Sequence, residues 1–132
     1  MKLPNNRDGF DATRQAVLDL LAPHQPSAKL LFSVELVLEE TLMNVIWHAY
    51  TDAAEHWIEL DVQVDPDDIV MSFEDDGVAF DPLQATEPAL PNSLEEAVPG
   101  GLGLMLVRKY ARLITYRRSD GRNHLTLRLA RH

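Results

Sequence analysis

The sequence contains no cysteine, which excludes disulfides, thiolate metal centres and thiol nucleophiles together. It also has no apolar run near the roughly 20 residues a membrane-spanning helix needs, and the opening MKLPNNRDGFDATRQ lacks the apolar core of a secretory leader. A cytoplasmic protein without membrane attachment is the expectation. A further absence concerns one sign of charge. No Lys or Arg occurs between Lys29 and Arg108, whereas 17 of the 21 acidic residues fall there. The net charge of −9 argues against a phosphate-backbone binder, so no direct nucleic-acid partner is expected. It also constrains small ligands. An anion held by the middle of the chain must be balanced by a metal ion or by backbone N–H groups.

Against these absences stands an ordinary globular composition, with 45% hydrophobic and 25% charged residues over a length of 132. That length supports one domain, residues 1–132, with one core. The last quarter is basic, through Arg108, Lys109, Arg112, Arg117, Arg118, Arg122, Arg128 and Arg131. Two differently solvated faces are the simplest account of that asymmetry.

Helical periodicity runs from about Asp11 to Ala22, and Pro23 and Pro26 mark a connection. Ser27 is placed to cap a second helix reaching about Tyr50, apolar around most of its circumference and therefore central. HWIELDVQVD alternates Trp57 or Ile58 with Leu60, Val62 and Val64, the pattern of a strand with one buried face. After the turn residues Pro66-Asp67-Asp68, IVMSFED reads as its antiparallel neighbour. Residues 76–99 show no period, a third helix opens with the glycines of GGLGLMLVRKYARLI, and TYRRSDGRNHLTLRLA closes the chain as a hairpin about Asp120-Gly121. The expected fold class is α+β, with helices on one face of a largely antiparallel sheet in two layers.

Three stretches carry candidate chemistry. Glu40, Asn44 and His48 recur every four residues, so they form one polar line along the apolar second helix. Burying that line is costly unless protein groups or a ligand hydrogen-bond it. A structural network is one solution. The other is a site in which Asn44 offers a neutral oxygen to Mg²⁺ and Glu40 accepts a proton from a nucleophile attacking a phosphate. In EDDGVAFDP, Asp75 ends a strand where it can accept a hydrogen bond from an exocyclic amine, and Gly77 allows a planar ring to approach. Asp-Asp-Gly is equally a plain turn. In PGGLGLMLV, glycines precede a helix N-terminus, which either receives an anion or acts as a hinge.

The succession EETLMNVIWHAY, FEDDGVAFDP and GGLGLMLVRKY, closed by RNHLTLRL, resembles the N, G1 and G2 boxes of the GHKL group. That group shares the Bergerat ATP-binding fold of DNA gyrase and histidine kinases. Within it the chain is most similar to the small anti-sigma factor serine kinases, whose N box typically ends as WHAY does here. The resemblance covers about residues 10–130. It implies ATP and Mg²⁺ as cofactors, Asn44 as metal ligand and Glu40 as general base. Asp75 would hold the adenine amine, with Gly77 and Ala79 beneath the ring; Ala79 stands where many relatives have glycine. Gly101, Leu102, Gly103 and Leu104 would meet the phosphates, and residues 81–99 would form a lid.

The resemblance also implies protein partners. These are a sigma factor or other regulator, a small antagonist phosphorylated on serine, and a second copy in a homodimer. One departure bears on activity: Pro99 and Gly100 occupy a stretch where several relatives carry a basic residue. The alternative function is a non-catalytic sensor of ATP or ADP that gates a partner.

Overall fold

The computed structural model describes residues 1–48, 55–79 and 107–132, with the side chains of Trp47 and His48 outside that description. Asn6, in extended conformation, accepts a hydrogen bond from the Gly9 amide at 2.9 Å and starts helix α1 (Arg7–Leu21). An asparagine there satisfies an amide that has no partner within the helix. The helix therefore begins a turn earlier than its apolar period announces. Its buried residues Phe10, Thr13, Val17 and Leu21 follow the three-to-four spacing of one face. The proline connection is a short 3₁₀ turn, Ala22–His24, ended by Gln25 in the left-handed region at φ 52°.

Ser27 then caps helix α2 (Ala28–His48), its Oγ accepting from the Leu30 amide at 3.0 Å. Val34, Val37, Leu38, Leu42 and Val45 of this helix are buried. Its outer side carries the exposed Phe32 and Glu39, and there Glu35 meets Arg14 of α1 in an ion pair. This is the central helix the sequence calls for.

Strands β2 (Trp57–Val64) and β3 (Asp68–Asp75) turn alternating sequence into alternating faces. Ile58 and Leu60 from β2, with Ile69, Met71 and Phe73 from β3, enter the core, while Trp57 is 46% exposed. The inward register thus begins at Ile58. Strands β4 (Leu113–Ser119) and β5 (Arg122–Ala130) form the closing hairpin, and β4 takes Leu113 and Ile114, expected at the end of the third helix, because they pair with Arg128 and Leu127 of β5. Asp120 and Gly121 both have positive φ, 54° and 75°, the combination a two-residue hairpin turn of the right twist requires.

One strand was not expected. Strand β1 (Lys2–Pro4) pairs with β2 through Lys2↔Glu59, Leu3↔Ile58 and Pro4↔Trp57. Three residues ending in proline carry no period. Their pairing depends on a partner more than 50 positions away, a tertiary contact invisible to local pattern.

Among the described residues all pairings are antiparallel, and the strand order is β1-β2-β3-β5-β4. Helices pack on one face of this open sheet, giving the expected α+β fold. The outward face is polar and crossed by a row that runs Lys2, Glu59, Glu74, His124, Arg117 from β1 to β4. Because β5 lies between β3 and β4, the end of β3 meets the start of β5. Asp75 stands opposite Asn123.

Candidate functional site

Glu40 and Asn44 lie one turn apart on α2, between residues that pack into the core on either side. Both are partly buried. Burial pushes the Glu40 carboxyl above the usual carboxylate range, and the neighbouring negative charge of Glu39 adds to that shift. Among the described residues, the Glu40 and Asn44 side chains make no hydrogen bond or ion pair. No sealed polar side-chain atom lacks a partner among the described residues, so neither tip is closed off from solvent. The protein solution to the polar line, a network with neighbouring groups, is therefore not present in the described residues. The third member, His48, has its side chain outside them.

Asp75 is only 5% exposed. Its Oδ1 accepts from the Gly77 amide at 2.9 Å, closing a turn over the two residues that follow β3. The same oxygen accepts from Asn123 Nδ2, also at 2.9 Å. Gly77 is buried beside it and Ala79 is exposed. Asp75 and Gly77 are thus joined by a hydrogen bond in a turn, the plainer of the two alternatives that Asp-Asp-Gly offers. Gly101, Leu102, Gly103 and Leu104, and the stretch 81–99, lie outside the described residues. Beyond them the chain is helical over 107–110, with Val107 in the core.

Three residues around Asp75 were not singled out. Asn123 Nδ2 also donates to the Val78 carbonyl at 2.9 Å, and its Oδ1 accepts from Tyr116 Oη at 2.5 Å and from Arg118 at 3.1 Å. Arg118 in turn donates to the Gly77 carbonyl at 2.7 Å. These residues come from the closing hairpin, some 40 positions after the turn they hold. The signal available in sequence was an asparagine in register with Leu125, Leu127 and Leu129 on the apolar face of an alternating strand.

Chemically the arrangement offers two things. One is a partly buried carboxylate of raised basicity next to an uncommitted carboxamide oxygen, a pair suited to proton abstraction beside a hard cation. No group of three or more His, Asp or Glu residues that could hold a metal alone occurs among the described residues. A cation on Asn44 would have to draw its other ligands from water and from the bound molecule, the manner in which Mg²⁺ binds nucleotides. The donor chemistry fits. The other offering is the Asp75 carboxylate, anchored through one oxygen.

Known proteins resemble this chain in sequence and in fold. The serine/threonine-protein kinase BtrW of Bordetella bronchiseptica is 41% identical over 101 residues, which are 76% of this chain and 71% of that protein. The anti-sigma F factor of Oceanobacillus iheyensis is 23% identical over 97 residues, 74% of this chain and 66% of its own length. Among solved structures, the histidine kinase domain of a blue-light activated histidine kinase from Erythrobacter litoralis matches with a TM-score of 0.51 at 20% identity. That match covers 75% of this chain and 43% of the other, and it speaks to fold alone. Residues 3–129 match the histidine kinase-like ATPase domain, and the chain belongs to that family.

Proposed function

We propose that this protein is an ATP-dependent serine kinase of the anti-sigma factor type. It would bind a sigma factor or other regulator and phosphorylate a serine on a small antagonist protein. The similarity to a serine/threonine-protein kinase and to an anti-sigma F factor supports this reading. The observation that carries it is the Glu40–Asn44 pair, partly buried on a central apolar helix and left uncommitted among the described residues.

In the proposed reaction, the Glu40 carboxylate accepts the proton from the hydroxyl of the target serine. The serine oxygen forms a bond to the γ-phosphorus of ATP while the bond from that phosphorus to the β,γ-bridging oxygen breaks. ADP leaves with the electron pair. The raised basicity of Glu40 favours it as proton acceptor. Asn44 would hold Mg²⁺, which when bound supplies neutralisation of phosphate charge. Asp75 would accept the adenine amine, with Gly77 and Ala79 beneath the ring. Gly101 to Leu104 would offer backbone N–H groups to the phosphates, and residues 81–99 would serve as the lid of a single nucleotide-binding domain spanning 1–132.

The absence of Lys and Arg between positions 29 and 108 leaves no cation within the proposed lid. Phosphoryl transfer draws on such charge, so the same feature favours a second reading, a nucleotide sensor that transfers nothing. Incubation with labelled ATP and a candidate antagonist separates them. The kinase reading predicts label on a serine, lost in Glu40→Ala with nucleotide binding kept. Binding without transfer by the parent protein would establish the sensor.

A cytoplasmic location and the absence of direct nucleic-acid contact complete the proposal. The net charge supports the latter, and no helix among the described residues is long and apolar enough to cross a membrane. So does a homodimer. The open sheet face runs from acidic on β2 and β3 to basic on β5 and β4, and a two-fold-related copy would match acid to base. Sedimentation at rising salt tests that contact.

A further inference from the structure

The nucleotide reading assigns Asp75 a role but leaves open what keeps its carboxylate in a single orientation. A terminal carboxylate torsion is broad and roughly two-fold, so its direction must come from its partners. Asn123 supplies one of them, and its own orientation is fully determined. Its Oδ1 faces two donors, Tyr116 Oη and the Arg118 guanidinium. Its Nδ2 faces two acceptors, Asp75 Oδ1 and the Val78 carbonyl. Flipping the amide would set its oxygen against two acceptor oxygens and its nitrogen against the Arg118 guanidinium, which can only donate. All four hydrogen-bonding positions of the carboxamide are used, and the residue is only 6% exposed. Arg118 strengthens the arrangement by also binding the Gly77 carbonyl, so one guanidinium ties the Asp75 turn to the closing hairpin.

We propose that Asn123, locked by Tyr116 and Arg118, is a positioning residue that aims Asp75 and thereby sets a preference for purines bearing an exocyclic amine. The inference rests on the nucleotide reading above and adds the residue that governs base selectivity. With Gly77 N–H and Asn123 Nδ2 both directed at Oδ1, Oδ2 is the oxygen left for a ligand. An oxygen fixed as acceptor rewards an amine donor and opposes a keto oxygen at the same ring position. Asn123 touches neither base nor phosphate in this scheme. It acts through Asp75.

The test is a cycle of two ligands and two proteins. ATP and purine riboside triphosphate, which lacks the amine, are titrated with Mg²⁺ into the parent, Asn123→Leu and Arg118→Met. The parent should bind ATP tighter by roughly tenfold or more, the worth of a hydrogen bond to a charged group. Asn123→Leu should bring ATP to the level of the amine-free analogue while the analogue itself stays within about twofold of the parent. Arg118 is exposed, so Arg118→Met should fold whatever becomes of the leucine variant. It should narrow the preference without abolishing it, and Asn123→Thr, which restores one donor, should recover part of it. Equal weakening of both nucleotides, or none, would reduce Asn123 to a structural role and overturn the proposal. So would a parent that does not distinguish the two ligands. A parent that binds neither would instead remove the nucleotide reading itself.

Discussion

Replacing Asp75 with asparagine alters the chemistry of the site while leaving its shape almost unchanged. Gly77 N–H and Asn123 Nδ2 both donate to one carboxylate oxygen, at 2.9 Å each. In the variant, the amide oxygen must occupy that position, since an NH₂ there would face two donors at once. The amide nitrogen is then forced to where the ligand-facing oxygen was. An acceptor has become a donor. Toward adenine this removes a hydrogen bond to a charged group, worth about 1.5–3 kcal/mol, and sets two donors against each other. ATP affinity should therefore fall by roughly tenfold to a hundredfold. Guanine presents a keto oxygen at that position, so GTP should lose less affinity than ATP or gain some. The fold keeps both anchoring hydrogen bonds, and the melting temperature should drop by no more than about 4 °C, the equivalent of roughly 1 kcal/mol or less. Titration calorimetry with both nucleotides, beside a thermal melt, measures all three quantities. An Asp75→Asn protein that melts like the parent and binds ATP within twofold of it would refute the assignment of Asp75 to the base.

Other expectations follow from Glu40 and from the β1–α1 corner. Transfer requires Glu40 unprotonated, and its pKa lies above the ordinary 4.5. The acid limb of the rate should accordingly sit at higher pH than for an unperturbed carboxylate and vanish in Glu40→Gln, as a pH–rate profile would show. The stability sign is the reverse of a paired carboxylate. The native state holds the Glu40 proton more tightly than the unfolded chain, so stability declines as pH rises from 4.5 through the raised value. Melts across that range should show Glu40→Gln losing less stability than the parent. At Gly9, an added Cβ would lie 2.4 Å from the Pro4 carbonyl oxygen and 2.9 Å from the Pro4 ring. Gly9→Ala should cost about 1–3 kcal/mol by overpacking, and an unchanged denaturation midpoint would contradict that close β1–α1 contact.

Much of the architecture was legible because it rests on local pattern. The alternation in IELDVQV and IVMSFED, the Ser27 cap and the Asp120-Gly121 turn each fix one element by nearby chemistry alone. Strand β1 was not legible, since Leu3 becomes a core residue only by pairing with Ile58. The site divides in the same way. Glu40 and Asn44 could be read as a pair because helical spacing brings them together. Asp75 could be read as a strand terminus. Asn123, Tyr116 and Arg118 could not be linked to Asp75 without the strand order, since only the placement of β5 beside β3 sets Asn123 opposite it. In sequence, Arg118 was one more charge in a basic C-terminal quarter. In the fold it holds the turn that would receive the base.

The most direct measurement is calorimetric titration of ATP with Mg²⁺ into Asn44→Ala beside the parent, each with and without a chelator. Among the described residues, the Asn44 side chain bonds to no protein group, so its loss should leave the melting curve close to that of the parent. Magnesium-dependent ATP binding should disappear in the variant, and chelator should bring the parent to the same state. A folded Asn44→Ala protein taking up MgATP with parental affinity would contradict that expectation.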